Sequence, residues 1–123
     1  MKREFEVKVK LPIRTVSELN QRDHWAVKHR RVKTQKREVG YSLIQATNRR
    51  PTLPCDVWLT RIAPRELDEG DNLNGSFKAI RDAIAHWMGV DDRSKEITWK
   101  YNQRKGKTGE YAVIIEVYSD GYV

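Results

Sequence analysis

Residues 64–73 read Pro64-Arg65-Glu66-Leu67-Asp68-Glu69-Gly70-Asp71-Asn72-Leu73, and Gly89-Val90-Asp91-Asp92 follows further along the chain. Between the two stretches Leu73, Phe77, Ile80, Ile84 and Trp87 recur at helical spacing. An amphipathic helix over 72–88 is predicted, opened by Asp71-Asn72 as an N-cap pair and ended by Gly89 in the left-handed conformation.

Outward from this segment the periodicity changes. Over 55–62, Val57 and Leu59 alternate with Trp58, Thr60 and Ile62, a strand apolar on both faces and therefore central. Over 4–11, Phe5, Val7, Val9 and Leu11 alternate with Glu4, Glu6, Lys8 and Lys10 until Pro12, the pattern of a half-buried strand. Asp23 can cap a helix from about His24 to Thr47, where Trp25, Val32, Val39 and Ala46 recur with Leu43 beside them as one apolar stripe. Residues 96–103 and 110–118 alternate around Arg104-Lys105-Gly106-Lys107-Thr108-Gly109, which predicts a hairpin with a basic tip. The order β-α-β-α-β-β over 1–123 is that of a single α+β domain, a small mixed sheet packed by two helices, and the length suits one core.

The charge is unevenly placed. The net charge is +7, yet residues 1–50 hold 14 Lys+Arg against 5 Asp+Glu, while residues 51–123 hold 10 against 12. The N-terminal excess favours a polyanionic partner. Much of it lies on the first helix, where Lys28, Arg30, Arg31, Lys33, Lys36 and Arg37 surround the apolar stripe. The acids instead gather at Glu66, Asp68, Glu69, Asp71, Asp82, Asp91 and Asp92, interrupted by Lys78 and Arg81. Carboxylates concentrated in a basic protein either relieve surface charge or hold a hard divalent cation, and a bound Mg²⁺ reverses the local sign towards phosphate.

Other classes are disfavoured. The single Cys55 excludes an internal disulfide and reads as a small core residue, and three His with one Cys cannot form a zinc finger. His24 and His29 lie five apart and do not share a helix face. Trp58, Trp87 and Trp99 alternate with apolar neighbours and read as core. No apolar run approaches the roughly 20 residues that span a bilayer, and the charged start is unlike a signal peptide. A cytoplasmic protein without a membrane partner is expected.

Carboxylates at a strand-to-helix turn can hold a cation that polarises a phosphodiester, and a nearby lysine can stabilise the charge growing on the phosphate oxygens. Lys78 stands two helical turns after Asp71, on the same helix face, and is a candidate for that role. Taken one at a time, the same residues have plainer uses: Asp71 as a cap, Asp91 and Asp92 as turn residues, Lys78 as the ion-pair partner of Asp82. Lys105 and Lys107 either contact phosphate or are simply solvated.

Together, the carboxylates at Asp68 and Glu69, the Asp71-Asn72-Leu73 run, the Lys78-bearing helix and the Gly89-Val90-Asp91-Asp92 turn resemble the RusA family of Holliday junction resolvases. The specific likeness covers the central third of the chain, and Leu19-Asn20 and His24-Trp25 also look like phage-encoded members. The resemblance implies a homodimeric, Mg²⁺-dependent (or Mn²⁺-dependent) endonuclease, bacterial or phage-encoded, that nicks four-way DNA junctions symmetrically in recombination and repair. It matches Asp71 and Asp92 to two catalytic, metal-holding aspartates, Glu69 or Asp68 to the third, and Lys78 to the family lysine, with Asp91 beside them. Two positions depart: the first acid is Glu69 with Asp68 one further back, and Gly75 stands where the family's prototype has its lysine.

A single helix over 72–88 separates Asp71 from Asp92 by about 25 Å. Either a two-fold dimer completes each site with Asp92 of the neighbouring chain, or the chain reverses near Gly75. The competing function is a non-catalytic nucleic-acid-binding module of the same fold.

Overall fold

The computed structural model describes residues 3–15, 25–67 and 71–123, with Asp71 and Asn72 as backbone only. Seven elements follow in order: β1 (Phe5–Leu11), α1 (Trp25–Ala46), β2 (Cys55–Ala63), α2 (Asp71–Ser76), α3 (Lys78–Met88), β3 (Ile97–Lys105) and β4 (Ala112–Ser119). They form a single small α+β domain around a four-stranded mixed sheet of order β1-β4-β2-β3. β4 runs antiparallel to β1 and β2, whereas β2 and β3 are parallel. The parallel pair needs a crossover, and α2 and α3 supply it. Leu19, Asn20, the capping Asp23 and His24 lie outside the described residues. Among the described residues, no helix is long and apolar enough to cross a membrane.

One face of the sheet carries the core. Phe5, Val7, Val57, Leu59, Val113, Ile115 and Val117 meet Val39 and Leu43 of α1 and Phe77, Ile80, Ile84 and Trp87 of the crossover. β2 is central, as its two apolar faces predict. Trp58 corrects the expectation of three core tryptophans: it is half-buried on the opposite face, with the Lys100 ammonium 4.7 Å from its ring.

α1 buries Gln35, Val39 and Leu43, not a seven-residue stripe. Trp25 is 74% exposed, and Ala46 is exposed too. A straight helix drifts about 20° per heptad, so residues three heptads apart cannot share a flat contact. Spacing by four follows the contact instead.

The second helix breaks. Asn74, Gly75 and Ser76 are weak helix formers, the Ser76 hydroxyl donates to the Leu73 carbonyl (2.7 Å), and Phe77 adopts φ −100°, ψ 4°. Phe77 is fully buried and stacks on Tyr101 with ring centroids 5.7 Å apart. The break therefore sits at Phe77 and is not a reversal at Gly75. Leu73 and Phe77 stay buried in register with Ile80, Ile84 and Trp87. Gly89 ends α3 at φ 80°, its N–H bonded to the His86 carbonyl and that of Val90 to the Ala85 carbonyl.

The expected hairpin is corrected: β3 and β4 are not neighbours, because β2 lies between them. Alternation in sequence is the same whether two strands pair directly or flank a third. Residues 106–111 cross the end of β2, where the Gly106 N–H donates to the Ala63 carbonyl (2.8 Å). Lys105 is consequently the last residue of β3, paired with Ala63, and Lys107 lies in the crossing connection. A Cβ at Gly106 would stand 2.7 Å from Glu110 Oε1 and 3.0 Å from the buried Ile62 Cγ2. Gly106→Ala should therefore cost about 1–2 kcal/mol in urea unfolding, whereas a solvated hairpin tip would tolerate it without loss.

Candidate functional site

β3 is an edge strand, and its core-facing side chains past Ile97 are half-buried. Trp99, Tyr101 and Gln103 project to one side at alternate positions. The Trp99 indole donates to the Asp92 carbonyl (3.1 Å). The Tyr101 hydroxyl accepts from Arg81 of α3 (2.9 Å) and its ring stacks on Phe77. Gln103 clasps Leu67 from both sides, its amide donating to the Leu67 carbonyl (2.7 Å) and its oxygen accepting from the Leu67 N–H (2.9 Å). The two acid-bearing segments are thus anchored four residues apart on one strand, about 13 Å.

A second clamp acts on the same loop. Arg61 lies on the core face of β2 and is 7% exposed. Its Nε donates to Thr15 Oγ1 (3.0 Å) and its guanidinium to the Arg65 carbonyl (2.7 Å). Burial lowers the Arg61 pKa, with Tyr111 opposing, so those acceptors hold a cation that is costly to bury alone. Sequence reasoning missed both Arg61 and Gln103. The available signal was a cation at a core-facing position of a strand otherwise read as apolar.

The turn after α3 folds back along the helix. Lys78 Nζ lies 3.8 Å from Asp92 Oδ2 and 3.7 Å from Asp82 Oδ1, and Lys36 Nζ of α1 is 3.6 Å from Asp82 Oδ2. The plainer reading of Lys78 is borne out, since it pairs with Asp82, and the same ammonium also meets Asp92. Asp92 reaches Lys78 within one chain, while the Asp71 side chain, the other end of the expected separation of about 25 Å, lies outside the described residues.

Asp92 is held against its own charge. Burial first, then hydrogen bonding with and repulsion by Asp82, then hydrogen bonding with Asp91, raise its pKa, while Lys78 opposes them. Asp91 behaves oppositely. Its carboxylate accepts from the Arg93 backbone N–H (2.8 Å) and guanidinium (3.3 Å), which hold its pKa down at about 2. Asp91 is exposed and faces Arg93, leaving Asp92 and Asp82 as the pair beside Lys78.

Lys28, Val32 and Gln35 of α1 wall a cleft of about 360 Å³ with Gly75, Lys78 and Asp82. Lys28 and Lys36 share this edge of α1 with Lys78, whereas Arg30, Lys33 and Arg37 are exposed and Arg31 is half-buried. Lys105 and Lys107 are exposed at the far end of β3. Asp68 and Glu69 lie outside the described residues, as does the side chain of Asp71, whose backbone begins α2. Among the described residues no three His, Cys, Asp or Glu side chains form a metal-holding group. Cys55 is buried, and burial followed by Asp56 pushes its thiol up to about 11, which makes it unreactive.

Among curated proteins, one from Xylella fastidiosa (strain Temecula1 / ATCC 700964), named "Uncharacterized protein", is 38% identical over 84 residues, covering 60% of this chain and 52% of that protein. The match thus spans about half the relative's length. No protein-family model matches the chain.

An acid whose folded-state pKa is raised favours the fold below its unfolded value, and that contribution is lost as pH rises through the raised one. At pH 7 the ionised Asp92 therefore opposes folding. Asp92→Asn should melt at the wild-type temperature or about 1–4 °C above it at pH 7, with the difference vanishing at pH 3. A fall in Tm at pH 7 would mark Asp92 as a stabilising ion-pair partner only.

Proposed function

We propose that this chain is a RusA-type endonuclease that nicks four-way or otherwise branched DNA, acts as a two-fold homodimer in recombination and repair, and uses Mg²⁺ or Mn²⁺. The observation that carries the reading is Lys78, held between Asp82 and Asp92 in a cleft walled by the basic edge of α1. A binding module gains nothing from carboxylates beside its phosphate surface. A metal-dependent phosphodiester hydrolase uses them as ligands.

The donor set suits a divalent cation. Mg²⁺ is commonly held by one or two carboxylates together with substrate phosphate, and burial first, then the neighbouring Asp82, raises the Asp92 pKa. In this reading Asp92 and Asp71 hold the ion, with Glu69 or Asp68 completing the set. When bound, the ion polarises the phosphodiester and lowers the pKa of the attacking water. Lys78, now shared between two carboxylates, turns to the phosphate oxygens and neutralises the charge growing there. Asp82 keeps the ammonium in place through its i,i+4 contact, and Trp99 fixes the backbone of Asp92. Lys28, Arg30, Arg31, Lys33, Lys36 and Arg37 supply sequence-independent attraction for the DNA arms, and Lys105 and Lys107 a second contact at the end of the sheet.

Synthetic four-way junctions should be nicked in matched pairs with Mg²⁺ and left intact with EDTA, with linear duplex resistant in both. Asp71→Asn and Asp92→Asn should each lower nicking by about a hundredfold or more while junction binding persists. Tight binding by the wild-type chain without any nicking would instead make it a non-catalytic module, and near-normal nicking by Asp92→Asn would remove that residue from the site.

A further inference from the structure

Beyond Asp82 the cleft does not end. A second cavity of about 550 Å³ continues between α1 and α3, lined by Lys36, Gly40, Arg50 and His86 over a floor that includes Trp87. A third, of about 490 Å³, shares Ile44, Arg50 and Trp87 with it and reaches Asn48. Asp82 lines both the first cleft and the second cavity, so the three adjoin one another along α1.

Asp82 itself lines the second cavity, and beyond it the charged side chains along the groove are cationic. Past Asp82 no acidic side chain lines either cavity among the described residues, while Lys36, Arg50 and His86 do. The backbone of Arg50 is held in place: its N–H donates to the Val123 carbonyl (3.2 Å), and the Val123 N–H donates to its carbonyl (2.8 Å). Ile44 is 66% exposed beside it, an apolar surface of the kind that packs on sugar or base. Gly40 opens the wall, since a Cβ there would meet nothing within 4 Å.

We infer that this α1–α3 groove is the track for a nucleic-acid strand leaving the candidate site, with Arg50 as a phosphate contact remote from the chemistry. From Lys36 to Ala46 the helix runs about 15 Å, equal to about four nucleotides of a B-form strand. The inference rests on the proposed function for its occupant and deepens it by giving the DNA arm a direction.

The test uses the full chain and a fluorescent four-way junction, with binding read by anisotropy in EDTA across a salt series and nicking read separately with Mg²⁺. Gly40→Glu places a carboxylate in the groove and should weaken binding about tenfold or more. Arg50→Ala should flatten the slope of log K against log salt by about one. Lys8→Ala, which removes the same charge from the opposite face of the sheet, should leave that slope unchanged. Circular dichroism melts confirm that each variant is folded. Binding by Gly40→Glu within twofold of wild type, together with an unchanged slope for Arg50→Ala, would overturn the track even if the wild-type chain nicks junctions. A wild-type chain that binds in EDTA, loses binding in Gly40→Glu and never nicks would uphold the track and overturn the nuclease reading.

Discussion

The hydrogen bonds that the edge strand β3 makes through Trp99, Tyr101 and Gln103 are the constraint on which the site depends. The turn bearing Asp92, the helix bearing Lys78 and Asp82, and the loop leading to Asp71 are separate pieces of chain, and each is fixed by one of these three side chains. Each such bond contributes only about 1 kcal/mol. Their value is positional, because a strand holds alternate side chains at a fixed pitch while a loop does not. Arg61, from the neighbouring central strand, reinforces the same loop at Arg65.

On this frame the charges oppose one another by design of the fold. Asp92 is crowded by Asp82 and by its own burial, with Lys78 as partial relief. Asp82 in turn holds Lys78 and Lys36, so the basic face of α1 is tied to the acidic turn through one carboxylate. A carboxyl whose pKa is raised by burial and by a neighbouring acid is a standing cost to the fold at neutral pH, and such costs collect where chemistry is done. A cation entering the cleft would relieve it. Asp91, one residue away, is satisfied by Arg93 and carries no such tension.

The sequence made the elements legible and the contacts between them less so. The four expected strands and the first helix are present and the second helix is present in two pieces, because alternation and helical spacing report which residues are buried, and Leu73, Phe77, Ile80, Ile84 and Trp87 are buried as that spacing requires. The break at Phe77 was hidden for the same reason: burial kept its period while the backbone changed. Strand order was not legible, since β3 and β4 alternate identically whether adjacent or divided by β2. Of the candidate site, the pairing of Lys78 with both Asp82 and Asp92 follows from residues singled out in advance, but Gln103 and Arg61 act through backbone carbonyls and leave no motif. Trp25 was misread because a heptad stripe does not stay on one face of a straight helix.

Manganese broadening of the tryptophan indole signals tests the central claim most directly. The chain has four tryptophans, and only the Trp99 indole bonds the Asp92 backbone among the described residues. With Mn²⁺ titrated into ¹⁵N-labelled protein, the Trp99 indole resonance should broaden well before that of Trp58 on the opposite face, and Asp92→Asn should remove the difference. Equal broadening of Trp58 and Trp99, or preferential broadening of Trp99 that survives in Asp92→Asn, would contradict a cation site assembled on β3.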